Sequence, residues 1–481
     1  PHAVILYNQH RGIISEQQAN KSLDSLASLS NHSQIKDLFY RNASIMNHTI
    51  SLSGGSKMYS FYGSMAYTNT ASPRPGEKND SYKVNFRQDL SLNNWLQFYV
   101  ITDLTNNITS TGRQPAIDYQ FYPYQLFRGE NGENLSVPYI GILSDSTRNA
   151  MQNQSGVNLD YKPLDEVNYG YTKSDALMNR ITGGVKIKLF DGLRFEGVYG
   201  YVRGANKTTN YDDAKSFALR NELVQFTVAP TGPGLTPKYY LPIIGGDYSV
   251  ANFTQRNWTV RNQLIFDNAW NNNQHQVTFL VGQEAQDQLA INNISRLKGY
   301  DENLQTYALL DYSSLSSTGV QNPVMPNNLG KSTLYAKPFQ KTESEIRFTS
   351  YYANAAYTFI RKYSINGSWR VDHSNLFGLD KSAQNKPVWS AGVKWMIGEE
   401  DFMKSSDWIN NLALRATYGI TGNSPNPGTA SSYDILMPVT NSILPNGRGL
   451  QIATAANPKL TWEGTKILNL GIDFSILKNR L

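Results

Sequence analysis

Apolar and polar positions alternate with a period of two along most of this 481-residue chain, which predicts β-strands with two unlike faces. The clearest run places Tyr351, Ala353, Ala355, Tyr357 and Phe359 on one side and Tyr352, Asn354, Ala356 and Thr358 on the other. After Arg361-Lys362 the alternation resumes, with Tyr363, Ile365, Gly367, Trp369 and Val371 opposed to Ser364, Asn366, Ser368, Arg370 and Asp372, so the pair reads as a hairpin. Tyr82, Val84, Phe86, Leu90 and Leu92 alternate in the same way with Lys83, Asn85, Arg87, Asp89 and Ser91, as do Ile181, Val185, Ile187 and Leu189 with Arg180, Thr182, Lys186 and Lys188. With Ile50/Leu52 and the runs 59–67, 96–104, 193–201, 258–266, 277–281, 389–395, 412–420 and 468–474, thirteen strands are predicted.

The connections divide into two kinds that take turns along the chain. Gly54-Gly55-Ser56-Lys57, Asn93-Asn94, Asp191-Gly192 and Arg361-Lys362 are tight turns, and 268–274 and 398–408 are of moderate length. Between them lie excursions of roughly 70 residues after Leu104, 50 after Tyr201, 55 after Glu284 and 40 after Ile420, far above ordinary loop lengths. Short turns on one rim and long loops on the other are the pattern of an outer-membrane barrel. A soluble sandwich or propeller also pairs buried and solvated faces, but a propeller repeats at a steadier period. The two aromatic ends of runs such as 59–67 and 351–359 would stand roughly 20 Å apart along a tilted strand, close to the spacing of two interfacial girdles.

Composition strengthens this picture. The 12% aromatic content is dominated by 30 Tyr, a side chain suited to a boundary between oil and water. No apolar run approaches the roughly 18 residues of a membrane helix, and a mean hydropathy of -0.46 suits a wall with one polar face. The absence of Cys excludes disulfides, thiolate metal sites and Cys nucleophiles, while leaving the redox compartment open. The net charge of +6 is dispersed without a basic block, so nucleic acid is not an expected partner. Residues 1–46 lack the alternation; Ile13 to Ser28 and Gln34 to Tyr40 read as weakly helical, and the stretch is expected to be a connecting segment before a barrel of 47–481. The Pro-His-Ala start, with neither an initiator Met nor a signal peptide, predicts a fragment.

No catalytic or metal-binding constellation emerges. The six His lack zinc spacing, only His373 adjoins an acid, and no cofactor is expected. Arg87, Asp89, Arg180, Lys186, Arg261, Arg370, Asp372, Arg415 and Asp473 all fall on the polar face of predicted strands and are expected to line a lumen, as a hydrated wall against a plug or as direct substrate contacts. In the long loop Asp118-Tyr-Gln-Phe-Tyr-Pro-Tyr-Gln-Leu-Phe-Arg128, the aromatics Tyr119, Phe121, Tyr122, Tyr124 and Phe127 are candidates either for holding a substrate on their ring faces or for packing against a neighbouring loop or partner.

Three stretches, in order, resemble the SusC/RagA family of TonB-dependent transporters of Bacteroidetes outer membranes. They are Asn47-His-Thr-Ile-Ser-Leu-Ser-Gly-Gly55; Glu399-Glu-Asp-Phe-Met403 with Trp408-Ile-Asn-Asn-Leu412 and Leu414-Arg-Ala-Thr-Tyr-Gly-Ile-Thr-Gly-Asn423; and Asn457-Pro-Lys-Leu-Thr-Trp-Glu463 with Asn469-Leu-Gly-Ile-Asp-Phe474 and Asn479-Arg-Leu481. The resemblance implies a barrel of 22 strands around a plugged lumen, of which the thirteen here are a part. It departs in lacking the family's plug, carboxypeptidase-like extension, TonB box and final strands. What it implies for function is uptake of oligosaccharides or oligopeptides, powered by TonB and completed by a SusD-like surface lipoprotein, in contact with outer-membrane lipid. A non-transporting barrel that displays its loops as an adhesin, and a siderophore-type receptor without a lid, are the alternatives.

Overall fold

The computed structural model describes residues 2–113, 115, 121–137, 144–232, 234–403, 408–426, 433–440 and 447–476. Thirteen strands form one antiparallel sheet in which each pairs with its neighbours in sequence. They are β1 (Ser44–Gly55), β2 (Tyr59–Ala71), β3 (Lys78–Ser91), β4 (Leu96–Gly112), β5 (Gly170–Phe190), β6 (Leu193–Asp212), β7 (Gly246–Trp270), β8 (His275–Tyr300), β9 (Phe339–Phe359), β10 (Tyr363–Ser374), β11 (Val388–Met396), β12 (Ile409–Asn423) and β13 (Glu463–Ile476). Among the described residues β1 and β13 are not paired with each other. The wall begins at Ser44, three residues before the predicted boundary, and Gly54 and Gly55 belong to β1 rather than to the turn after it.

The register carries the two faces unbroken across the sheet. Met65, Val84, Leu104, Tyr201, Trp258, Tyr351, Trp369, Trp389, Tyr418 and Leu468 lie on one face, and on it Phe98, Phe266, Phe279, Phe359, Tyr363 and Trp395 stand near the short turns. Many of these rings are well exposed, Tyr351 at 46% and Trp369 at 45%, and the positions between them are apolar, such as Ile365, Val393 and Ala416. So wide an apolar surface is stable against lipid and not against water. The tyrosines and tryptophans at its edges form the two girdles expected from the sequence.

The long excursions 113–169, 213–245, 301–338 and 424–462 all lie on one rim, which also carries the short 72–77, and the tight turns 56–58, 92–95, 191–192, 271–274 and 360–362 all lie on the other, together with the longer 397–408. The hairpins on the short rim are tied edge to edge by backbone bonds, including Ser91 N to Met58 O, Asp267 N to Gly192 O and Met396 N to Lys362 O. In the turn after β9 the positive φ angles fall on Ile360 and Arg361, one residue earlier than the predicted Arg361-Lys362. The strands on the other rim run much further than predicted: β7 and β8 have 25 and 26 residues, although about ten tilted residues cross a membrane. Their outer halves carry polar residues on both faces, for example Asn252, Thr254 and Gln255 of β7 and Asn292 and Asn293 of β8, so the alternation that marks a lipid-facing strand is lost there.

On the short rim, Glu400 accepts hydrogen bonds from Tyr363 Oη (2.6 Å), Trp395 Nε1 (2.9 Å) and Lys362 Nζ (2.9 Å). These donors hold its carboxyl down to about 2. A released glutamate titrates near 4.3, so this anchor is complete above about pH 4.5 and fades as the pH falls toward 2. Amide exchange of 397–403, corrected for intrinsic rates, is therefore expected to accelerate on going from about pH 5 to 3. In Glu400→Gln it should already be fast at pH 5 and change little further.

Candidate functional site

Two arrangements could act on a solute: the polar face of the wall and the layer of loops above its long-connection rim. On the wall, the register places Arg87, Asp89, Arg180, Lys186, Arg261, Arg370, Asp372, Arg415 and Asp473 all on the face opposite the aromatic one. They do not form one cluster. Arg87 and Asp89, on one strand, make a two-bonded pair at 2.8 and 2.8 Å, with the guanidinium 5.7 Å from the Tyr99 ring centroid. Arg415 and Lys394 share Asp473 at 3.6 and 3.5 Å. Arg180 and Lys186 enter no ion pair with a described residue.

Arg261, Arg370 and Asp372 do come together, through a residue the sequence did not single out. Glu284 on β8 accepts from Arg261 Nε on β7 at 2.6 Å, and its other oxygen lies 3.7 Å from Arg370 Nη2 on β10. Arg370 Nε donates to Asp372 at 2.8 Å and Nη2 to Ser350 Oγ at 2.8 Å. Ser350, on β9 between Glu284 and Asp372, is small enough to let Arg370 reach across it. Tyr352 packs 5.7 Å from this guanidinium and donates to Gln263 at 3.2 Å. Glu284, Tyr352, Asn354, Ser368, Arg370 and Asp372 line a recess of about 780 Å³. Pre-paired charges of this kind present fixed donors and acceptors at little ordering cost to whatever docks there.

The loop layer has its own core. Phe39, Phe121, Phe127, Val137, Leu159, Tyr161, Phe217, Phe226, Leu315 and Leu334 are buried together, although they come from the N-terminal segment and three separate long connections. The N-terminal segment contributes helices α1 (His2–His10), α2 (Glu16–Ala27) and α3 (His32–Phe39); Gly12, with positive φ, separates α1 from α2, which starts three residues after the predicted Ile13. Ser15 caps α2 with a reciprocal bond to Gln18. The long connections add α4 (Asp145–Ser155), α5 (Pro163–Glu166) and α6 (Phe217–Gln225). Lys298, its side chain 7% exposed, ties α6 to the top of β7 by bonds to Glu222 (2.7 Å) and Asp247 (2.9 Å). Glu166 accepts from Phe217 N at 2.8 Å; its burial pushes the carboxyl up, against the pull of that N–H and of Arg113 and Arg220.

This core reassigns two of the five loop aromatics. Phe121 and Phe127, 8% and 0% exposed, cannot meet a solute; their rings pack edge to face at 5.3 Å, and Phe127 packs likewise on Phe39 at 5.0 Å. The backbone around them is held by the N-terminal segment: Asn31 donates to Tyr122 O and Gln125 O, and Gln34 accepts from Phe127 N at 2.7 Å. Tyr122 and Tyr124 remain at the surface as a stacked pair, 5.3 Å apart and 9° from parallel, with His2 Nδ1 2.7 Å from Tyr124 Oη. Tyr119 lies outside the described residues. Leu235, Ile243, Ile244, Leu304, Leu309 and Leu329, in two adjacent long connections, are highly exposed, Leu309 at 89% and Leu329 at 97%.

These features have relatives. The chain is 25% identical over 436 residues to the TonB-dependent receptor P39 of Formosa agariphila, covering 90% of this chain and 36% of that protein. It is 31% identical over 137 residues to the TonB-dependent receptor SusC of Bacteroides thetaiotaomicron, covering 27% and 13%. It thus spans little more than a third of the first relative's length. In fold it matches the RagAB peptide importer in its open-open state with a TM-score of 0.66 and 20% identity, over 92% of this chain and 43% of that one. The family described as TonB dependent receptor-like, beta-barrel matches residues 189–481, and the chain belongs to it as part of an outer-membrane β-barrel.

Proposed function

We propose that this chain is part of the wall of an active importer that takes up oligosaccharides or oligopeptides, is energised by TonB and is closed from outside by a SusD-like lipoprotein. The observation that carries the reading is the exposed apolar tips of the loop layer, Ile243, Ile244, Leu304, Leu309 and Leu329. They stand on a packed loop core on the rim away from the short turns, where lipid does not reach, and a partner with an apolar underside would cover them. An adhesin that displayed its loops freely, or a receptor without a lid, would leave this surface in water. In this reading the polar face is the lumen wall. Arg87, Asp89, Arg180, Lys186, Arg261, Arg370, Asp372, Arg415 and Asp473 meet a plug supplied by the longer polypeptide, and Tyr122 and Tyr124 offer ring faces to the arriving solute. The fold shared with a peptide importer supports the peptide class, and the resemblance to the SusC/RagA family keeps oligosaccharides beside it.

The test is growth of a strain lacking the full gene on single glycans and on peptides as sole nutrient, with and without a working TonB. A defect confined to one nutrient, cured by the gene only when TonB works, is expected. If no nutrient shows a TonB-dependent defect, the uptake reading fails. In the complemented strain, Leu309→Glu with Leu329→Glu is expected to reduce uptake and the recovery of a co-purifying lipoprotein together.

A further inference from the structure

Four pairs of like charge face each other directly across the wall among the described residues, and three of them are neutralised. Lys188 and Arg194 are matched by Asp191, Glu196 and Asp267. Asp212 and Asp247 are matched by Arg113 and Lys298. Lys394 and Arg415 share Asp473. The fourth pair, Arg203 on β6 and Arg256 on β7, is different: both residues are exposed, and neither makes an ion pair or hydrogen bond to any described residue. Like charges directly opposite in a ladder repel, so an unneutralised arginine pair is a position in want of an anion.

Its place on the wall says which anion. Arg203 and Arg256 are on the aromatic, lipid-facing side, in the row directly beyond Tyr201 and Trp258 and away from the short turns. Two residues along a tilted strand put the guanidiniums about 5 Å outside that girdle, within the headgroup layer rather than the hydrocarbon. Next to Arg203 in the same row stands Asn179, which is neutral. On the other side the carboxylates of Asp287 and Glu345 are already engaged by Arg347, at 2.9 and 2.5 Å. Asp175, two rows further out, faces Lys207.

We propose that Arg203 and Arg256 form a binding site for the phosphate of an outer-leaflet lipid headgroup, which bridges the two guanidiniums. Guanidinium and phosphate match in geometry as well as charge, and the girdle beneath supplies a surface for the acyl chains of the same lipid. The site depends on the wall being a membrane barrel and is independent of what the barrel imports.

The full-length protein, purified in a neutral detergent, would be titrated with bisphosphorylated lipid A, with the same lipid dephosphorylated, and with inorganic phosphate. Arg203→Gln with Arg256→Gln is expected to weaken lipid A binding about tenfold or more, while Arg203→Lys with Arg256→Lys keeps most of it. Dephosphorylated lipid should bind the native protein no better than phosphorylated lipid binds the double Gln variant. A second readout keeps the test independent of folding defects. Without phosphorylated lipid the double Gln variant should be at least as heat-resistant as the native protein, since repulsion is removed, and with it the native protein should be the more resistant. Equal lipid A affinity of native and double Gln proteins, equal binding of the dephosphorylated lipid, or displacement of lipid A by equimolar inorganic phosphate would each overturn the proposal.

Discussion

Ala391→Arg is expected to cost the folded barrel about 2–4 kcal/mol, whereas Ser390→Arg, one residue earlier on the same strand, should cost no more than about 1 kcal/mol. Ala391 is on the aromatic face, opposite Gly367 and Tyr418, and lies between the girdle residues of β11, two positions from Trp389 and four from Trp395. A guanidinium there must lie in hydrocarbon or bend a long way to reach water. Ser390 is on the polar face, where its hydroxyl meets that of Ser368 at 2.6 Å beside Arg370, so a cation replaces a weak bond in a hydrated setting. Each variant would be refolded into vesicles and its urea midpoint read from the loss of the compact band on unheated gels. Equal destabilisation by the two substitutions would contradict the assignment of faces, because parity along the strand is all that separates them.

The middle of each strand was legible because lipid imposes one simple demand on it: every second side chain must be apolar. That demand places Arg261, Arg370 and Asp372 on one face from the sequence alone. Their shared partner was not legible. Glu284 joins Arg261 to Arg370 only because β8 pairs with β7 on one side and with β9 on the other, with the small Ser350 in the gap, and register between strands is not written in any one strand. Outside the membrane the demand disappears and so does the signal, which is why β7 and β8 continue far past their predicted ends. The loop core left still less trace. Phe39, Phe127, Phe217 and Leu315 follow no common period, and each becomes buried only when distant segments meet. For that reason the sequence leaves the loop aromatics open between holding a substrate and packing, and two of the rings, Phe121 and Phe127, serve as the loop's own core.

That core makes Phe127 the most sensitive position in the loop layer. Its ring is wholly buried between Phe39 of α3 and Phe121 of its own loop, and its backbone N–H donates to Gln34, so it joins the N-terminal segment to the first long connection at two levels. Phe127→Ala removes the ring and leaves a cavity lined by these neighbours, a change that costs about 3–5 kcal/mol where the surroundings relax little. The wall, whose strands are hydrogen-bonded to their neighbours in the sheet and contribute no side chain to this cluster among the described residues, should be unaffected. The expected result is therefore a split: an unchanged compact band on unheated gels, with proteolytic cleavage in the segments 28–41 and 121–137 at least tenfold faster than in the native protein. Phe121→Ala should move in the same direction by less, since that ring keeps some contact with solvent, and Tyr122→Ala should leave cleavage near the native rate. If Phe127→Ala cleaves no faster than Tyr122→Ala, the loops are not held by this core, and the exposed apolar tips would then rest on a movable layer instead of a fixed platform for a lid.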